Sequence, residues 1–299
     1  MASNEAERKI AGAPDAEAIN VKSERPPSRF RTLLRHRLEW ILSPLLLVAV
    51  LGFWEWFVDY AEIPTFLVPP PSLIAVSLVG GLSKGLTDQS GYYIHMGYTL
   101  WEAFFGFIIG TSLGVLLGTI ISQNRLVEKT LLPYIIAFQA MPKIAVAPLF
   151  VVWMGFGMTS KVVMVITLTF FPVLINALAG FKSVPQNRVD MARALCASEW
   201  QIFRHVKFPS SLPFIFAGLE IAVTFAIVGA IVGEFVGADR GIGLLIMQSQ
   251  YQMDVPGVFA GLLLLSLVGV ALQLAMERWR RRVLFWEAEQ LARPRRNNE

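Results

Sequence analysis

The sequence predicts an all-α integral membrane protein with six transmembrane helices. Of its 299 residues, 55% are hydrophobic, and the mean hydropathy is +0.54, values that soluble domains rarely reach. A helix needs about 20 apolar residues to cross the hydrocarbon core of a bilayer. Six segments meet this requirement with at most one charged residue each: 40–58, 98–122, 131–156, 162–181, 212–232 and 259–276.

The charges outside the spans predict the orientation of the chain. Basic residues are concentrated in the N-terminal arm, in the connections after the second and fourth spans, and in the C-terminal tail. The opposite side carries only Lys84, Lys161 and Arg240. Because cytoplasmic loops are enriched in Lys and Arg, we expect both termini to be cytoplasmic. Orientation also accounts for the basic residues without a nucleic-acid partner.

Composition divides the chain into three regions. Residues 1–38 form a polar arm that we expect to be largely disordered and not a cleavable signal peptide. Residues 39–286 hold the spans, with a cytoplasmic loop at 183–211, and residues 287–299 form a charged tail. The single cysteine excludes an intramolecular disulfide, and the three histidines lie outside the spans, so no catalytic or metal site is expected. No phosphate-binding glycine-rich motif is present, so any ATP is bound by another chain.

The second span contains four glycines at a strict spacing of four: Gly106, Gly110, Gly114 and Gly118. This spacing places them on one face of a helix. Small residues allow the close backbone approach that holds helices together in lipid. The face therefore predicts a packing contact, either with another helix of the same chain or with a second subunit.

The third span is predicted to be broken, because Pro142 and Pro148 each remove a backbone donor within it. Irregular backbone at this depth is tolerated only inside the protein or beside a water-filled cavity. Lys143 lies at the break, where an ammonium needs water or a partner. It is a candidate for lining an anion pathway, or alternatively a lysine that snorkels or pairs with Glu102 or Glu220.

Other polar residues in the spans are weaker pathway candidates. Asn176 and Glu220 are as compatible with structural hydrogen bonds as with a pathway. Glu234 lies in a glycine-rich turn after the fifth span and could be an external cap, a gate or a contact for a binding protein. Glu102 is close enough to the outer end of its span to reach the headgroups. The four prolines within residues 63–97 argue against a continuous helix in that external connection.

The loop at 183–211, hereafter the coupling loop, predicts two short helices. Ser198 is a plausible N-cap for the second, on which Trp200, Phe203 and Val206 form an apolar stripe. Such a stripe suits insertion into a groove of a soluble partner, or an interfacial helix lying on the membrane. Two cations, Arg193 and Arg204, flank the stripe.

The coupling loop resembles the EAA loop of ABC importer permeases, which reads Glu-Ala-Ala, three residues, Gly, nine residues, Ile, one residue, Leu-Pro. Ala192 and Pro209 match that pattern, and Asp190 matches in chemical type. Cys196 stands where the pattern has glycine, which adopts a positive φ at lower cost than cysteine does. The resemblance favours docking over an interfacial helix.

Further runs, at 142–157, 170–176, 197–203 and 232–238, look like the permeases of the nitrate/sulfonate/taurine ABC importer family. The resemblance covers about residues 40–286. It implies the type I (MetI-like) permease fold in the bacterial inner membrane, a dimer of permeases, cytoplasmic ATPases that bind ATP and Mg, and an external binding protein.

The resemblance implies import of a small, anionic solute such as nitrate, a sulfonate, taurine or a similar organic acid. The family also includes importers of pyrimidine vitamin precursors, riboflavin and aromatic acids, which remain alternatives. An ion-coupled secondary transporter is a distant alternative, because no internal repeat is visible and the coupling loop would have no role. Whether the dimer is homomeric stays open.

Overall fold

The computed structural model describes residues 29–85, 88 and 91–286. The described chain is built from helices, whose bounds are α1 (Arg29–Tyr60), α2 (Pro71–Leu82), α3 (Tyr92–Gln123), α4 (Arg125–Ala140), α5 (Ala147–Met154), α6 (Met158–Lys182), α7 (Gln186–Ala194), α8 (Glu199–Ile202), α9 (Phe208–Gly237), α10 (Ile242–Tyr251) and α11 (Val255–Val283). Most of the polar arm, for which disorder is predicted, and all of the charged tail lie outside the described residues.

Two compact units divide the chain, Met1–Phe53 and Trp54–Glu299. Five described helices are long and apolar enough to cross a membrane: α1, α3, α6, α9 and α11. The sixth span is the pair α4 and α5, which meet at an angle of 78°. A 3₁₀ turn, Lys143–Val146, separates them. The all-α fold and the break at Pro142 are therefore confirmed.

Two shorter helices were not anticipated from the sequence. The prolines before α2 do not prevent it, because the helix begins at Pro71, where a missing N–H costs nothing. Its first turn is tied to α1, since the Glu55 carboxylate accepts hydrogen bonds from Ser72 N (3.0 Å) and Ser72 Oγ (2.6 Å). The second unanticipated helix, α10, follows the glycine-rich turn and packs on α11.

The core of the second unit is α6, which packs along α3 on one side and α9 on the other. The glycines of α3 face α6: a Cβ at Gly114 would lie 2.9 Å from Phe170 O, and one at Gly118 would lie 2.8 Å from Ala177 Cβ. The stripe predicted from the sequence thus meets a helix of its own chain.

Glycines of α9 line the other side of α6. A Cβ at Gly218 would lie 2.9 Å from Asn176 Cβ, and one at Gly229 would lie 2.9 Å from Val165 Cα. Val165 and Ala177 on α6 are completely buried between the two neighbours. The three helices therefore approach to backbone contact, the arrangement that stabilises helix association in lipid.

We expect Gly114→Ala to destabilise the protein by about 1–3 kcal/mol, because the added methyl overfills a contact made with backbone. Gly97→Ala on the same helix is the matched control, since nothing lies within 4 Å of a Cβ there. That control should be neutral or gain up to about 1 kcal/mol from helix propensity. Thermal unfolding of the detergent-solubilised protein measures both, and equal midpoints would contradict close packing at Gly114.

Candidate functional site

The second half of the coupling loop is a rigid extension of the fifth span. From α8 the chain continues through a π-helical turn, Phe203–Lys207, directly into α9. Ser198 caps α8 as predicted: its Oγ accepts a hydrogen bond from Gln201 N at 3.3 Å, and its own N donates to Gln201 Oε1 at 2.8 Å. This reciprocal pair fixes the start of the extension.

The turn between α7 and α8 keeps a glycine-like conformation although cysteine occupies it. Cys196 has φ +58°, in the left-handed region that glycine enters at no steric cost. Two backbone hydrogen bonds close the turn, from Cys196 N to Arg193 O (2.9 Å) and from Ala197 N to Ala192 O (3.1 Å). The departure at Cys196 therefore changes the cost of the turn and not its geometry.

The predicted apolar stripe on the loop divides into an exposed part and an anchored part. Trp200 is 66% exposed, whereas Phe203 stacks on it at 5.6 Å between ring centroids and is half-buried. The Phe203 ring also lies 5.9 Å from Phe181 of α6 and 6.0 Å from Phe208 of α9. Trp200 projects from the loop, while Phe203 ties the loop to two spans.

Charged side chains fix the rest of the loop surface. Arg193 forms an ion pair with Glu199 at 3.0 Å and lies 3.8 Å from Asp190. The hydrogen bond to Glu199 raises the pKa of the Arg193 guanidinium, and this exposed ion pair links α7 to α8. Arg204 is exposed on the π-helical turn. Pro209 is the second residue of α9 and lacks a backbone N–H, directly after the π-helical turn.

Lys143 lies in the 3₁₀ turn between α4 and α5, half-buried. Its Nζ donates to Gln139 O at 2.7 Å and lies 4.8 Å from the centroid of the Phe171 ring. The alternative that paired it with Glu102 or Glu220 is wrong, because those carboxylates meet Lys161 and Arg280 instead.

The other pathway candidates have separate surroundings. Asn176 Nδ2 donates to Pro172 O at 2.8 Å within α6. Glu220 of α9 accepts from Arg280 of α11 at 3.4 Å. Glu234 is buried near the end of α9, where it accepts hydrogen bonds from two other helices. These residues, with Lys143, do not form one site within a single chain.

The expectation that Glu102 reaches the headgroups is wrong, since the residue is only 2% exposed. Its Oε1 lies 3.8 Å from Nζ of Lys161, which is itself buried rather than in a solvated external loop. Sequence reasoning missed this pair. A signal was available: Glu102 lies four residues before Gly106 and so shares the glycine face that packs on α6.

An apolar cavity of about 670 Å³ opens between α3, α9 and α11. Its lining includes Trp101, Phe107, Val223, Leu272 and Trp279. None of the predicted pathway residues lines it, and such a surface suits acyl chains or a neighbouring helix better than a polar solute.

Residues 110–285 match the model of the family described as binding-protein-dependent transport system inner membrane component. The chain belongs to this family. It is therefore the permease subunit of an ABC importer, a multi-pass protein of the bacterial inner membrane that leaves ATP hydrolysis to a separate subunit. Membership also disfavours the ion-coupled secondary transporter.

Curated relatives agree with this assignment. The permease is 35% identical to the riboflavin transport system permease protein RibX of Chloroflexus aurantiacus over 260 residues, 87% of this chain and 95% of RibX. It is 35% identical to the formylaminopyrimidine transport permease protein ThiX of Halalkalibacterium halodurans, over 75% of this chain and 88% of ThiX. The taurine transport system permease protein TauC of Escherichia coli is 29% identical, over 83% and 90% of the two chains.

Among solved structures, a chain of the inward-facing MetNI methionine ABC transporter superposes with a TM-score of 0.52. The match covers 70% of the permease and 97% of that chain at 24% identity. At this identity the likeness establishes the fold alone, and the type I, MetI-like fold implied by the sequence motifs is confirmed.

The positive φ of Cys196 predicts that glycine at this position stabilises the turn. Cys196→Gly should slow amide hydrogen exchange in the 192–197 turn a few-fold, because relief of about 1–2 kcal/mol of left-handed strain exceeds the flexibility cost of about 0.5–1 kcal/mol. Hydrogen exchange with mass spectrometry measures the effect. Leu195→Gly is the control, because Leu195 has φ −84°, and this variant should speed exchange. A change in exchange rate in the same direction at both positions would contradict strain at Cys196.

Proposed function

We propose that the permease carries a small solute, delivered by an external binding protein, into the cytoplasm when two copies of the chain are driven by ATPase subunits docked on their coupling loops. One observation carries the proposal: Trp200 projects from a loop that is continuous with α9 and anchored to α6 through Phe203. A partner that binds Trp200 can therefore displace α6 and α9 together.

The coupling loop has the features of a protein-docking surface. An exposed tryptophan on a rigid helix loses little conformational entropy on binding and supplies a large contact area. Exposed Met191 and Leu195 enlarge the apolar part of this surface, and Arg204 adds a cation at its margin. The residues proposed to contact or shape the ATPase interface are Asp190, Ala192, Arg193, Cys196, Ser198, Trp200, Phe203, Arg204 and Pro209.

The orientation that places this loop in the cytoplasm follows from its charge. The coupling loop and the adjoining end of α6 carry five basic residues, and the last turn of α11 adds Arg280, Arg281 and Arg282. Short basic segments stay on the cytoplasmic side of membranes. The ATPase, with its ATP and Mg, would then meet the loop, and the α9–α10 turn would face the binding protein.

The proposed cycle uses the rigid connection between loop and spans. ATP binding brings the two ATPase subunits together and draws the coupling loops with them. Because Phe203 contacts both Phe181 and Phe208, this displacement tilts α6 and α9 together rather than bending the loop. Hydrolysis then allows the opposite tilt, so the pathway is open to one side at a time.

Two classes of solute are supported by different observations. A small anion, such as a sulfonate, is supported by the ammonium of Lys143 at the break between α4 and α5, together with the taurine and aliphatic sulfonate permeases among the relatives. A pyrimidine or flavin vitamin precursor is supported by the higher identity to RibX and ThiX, 35% in each case.

Co-purification tests the proposed assembly directly. The permease is isolated from native membranes in mild detergent and its partners are identified by mass spectrometry, with cross-linking to detect a second copy. Recovery of an ATPase and an external binding protein is expected, and ligands of that binding protein then identify the solute. Recovery of neither partner, where a known importer stays intact, would contradict the proposal.

Trp200→Ala should weaken binding of the ATPase to the permease about 30-fold, equivalent to about 2 kcal/mol at an interface hot spot. ATP-driven uptake into proteoliposomes should fall in parallel, while the thermal midpoint of the permease stays unchanged because Trp200 is mostly exposed. Arg188→Ala, an exposed residue of the same loop, is the control. Full uptake by the Trp200 variant would count against docking through this residue.

Lys143→Met should reduce the uptake rate of an anionic solute relative to a neutral one about fivefold, the equivalent of about 1 kcal/mol of lost attraction. Methionine is unbranched and nearly as long as lysine, so it fills the same space while it removes the ammonium that lies over the Phe171 ring. Uptake of both solute classes through the same complex measures the ratio. An unchanged ratio in a folded variant would make Lys143 structural.

A further inference from the structure

A buried ionic cluster lies at the end of the bundle opposite the coupling loop. It consists of Glu102 and Thr99 of α3, Lys161 of α6, Glu234 of α9 and the backbone N of Gly243 in α10; we call it the Glu102–Glu234 cluster. The exposed fractions of its charged residues are 2% for Glu102, 4% for Lys161 and 1% for Glu234. No step of the proposed transport cycle uses them.

Glu234 is fully provided with hydrogen-bond donors. Its Oε1 accepts from Thr99 Oγ1 at 2.6 Å and its Oε2 accepts from Gly243 N at 2.5 Å. Donors to both oxygens, one of them at the N-terminus of α10, suit a negatively charged carboxylate. Glu234 is therefore the ionised member of the two glutamates.

The Glu102 carboxyl group has a different set of neighbours. Its Oε1 lies 3.8 Å from Lys161 Nζ, which donates to Phe156 O at 3.1 Å. Its Oε2 is buried and accepts no hydrogen bond from the described residues. Glu102 follows Thr99 by one turn on the same face of α3, and Thr99 bonds to Glu234, so the two buried carboxyl groups face each other. Two ionised carboxylates cannot hydrogen-bond to each other, because neither has a proton to donate.

The charges of the cluster do not balance without a proton. Two carboxylates and one ammonium leave one net negative charge in a site that solvent barely reaches, which is strongly unfavourable. His95 on α3 meets the backbone of the α9–α10 turn, where its Nδ1 lies 3.0 Å from both N and O of Gly241. Asp239 and Arg240, in the turn after α9, are exposed, and Arg240 bonds to Tyr98.

We propose that the Glu102–Glu234 cluster binds one exchangeable proton, carried by Glu102 and donated to Glu234. This proton makes the cluster neutral and supplies the one donor that the two carboxyl groups lack. The cluster then joins α3, α6, α9 and α10 into a closed contact, and loss of the proton at high pH leaves repelling carboxylates that loosen the α9–α10 turn. The inference goes beyond transport and depends on neither solute nor orientation.

Infrared spectroscopy of the purified permease tests for the proton directly. The carbonyl stretch of a protonated carboxyl group is expected in the wild type at neutral pH and should be lost in Glu102→Gln. Glu55→Gln is the matched control, because Glu55 is a half-buried carboxylate outside the cluster that already has two donors from Ser72; its spectrum should retain the band. Absence of the band in the wild type, or its persistence in Glu102→Gln, would overturn the proposal.

Two further variants keep the test decisive if Glu102→Gln fails to fold. Glu234→Gln leaves Glu102 opposite Lys161 alone, so the proton is no longer required and the band should disappear. Lys161→Met removes the cation, so a second proton is needed and the band should become about twofold stronger. A band of equal strength in the wild type, Glu234→Gln and Lys161→Met would overturn the proposal. That result would not bear on import, because the infrared measurement does not involve transport.

Discussion

The packing of α6 between α3 and α9 is the contact on which the rest of the structure depends. Helices in lipid gain nothing by hiding apolar surface, so they associate through close backbone contact and polar bonds. Gly114 on one neighbour and Gly218 on the other bring the backbones so close that a Cβ at either would lie 2.9 Å from an atom of α6. Close-packed interfaces deform little, so the three helices have to move as one body.

This body connects the two polar regions of the permease. Lys161, in the first turn of α6, belongs to the Glu102–Glu234 cluster, and Phe181, in its last turn, stacks on Phe203 of the coupling loop. The 20 residues between them span about 30 Å of helix, the thickness of the hydrocarbon core. In the proposed transport cycle, a displacement of the loop would be transmitted along α6 and α9 to the opposite end of the bundle, where the cluster joins the same helices.

Features that depend on local sequence were predictable. The apolar spans, the proline break before Lys143 and the cap at Ser198 follow from length, backbone chemistry and side-chain hydrogen bonding. The conformation of Cys196 was harder to predict, because the EAA pattern has glycine there, which adopts a positive φ at lower cost than cysteine does. Cys196 adopts the positive φ in a turn that two backbone hydrogen bonds close.

Contacts between helices were not predictable from single spans. Glu102 and Lys161 are about 60 positions apart, and each alone reads as a charge near the end of a span. Their burial follows only once the glycine face of α3 is placed on α6. α2 is hard to predict for a different reason: the prolines at 64–71 argue against a continuous helix in this connection, but Pro71 can be the first residue of a short one.

The distribution of polar residues also bears on how an importer of this kind achieves specificity. Lys143, Asn176 and Glu220 each have partners on their own or an adjacent helix, so these three side chains do not converge on a solute within one chain. A pathway that binds its solute weakly releases it readily, whereas tight binding between the gates would slow each cycle. Selection by an external binding protein removes the need for a tight site in the membrane. The buried polar groups of the permease can then hold α3, α6 and α9 together.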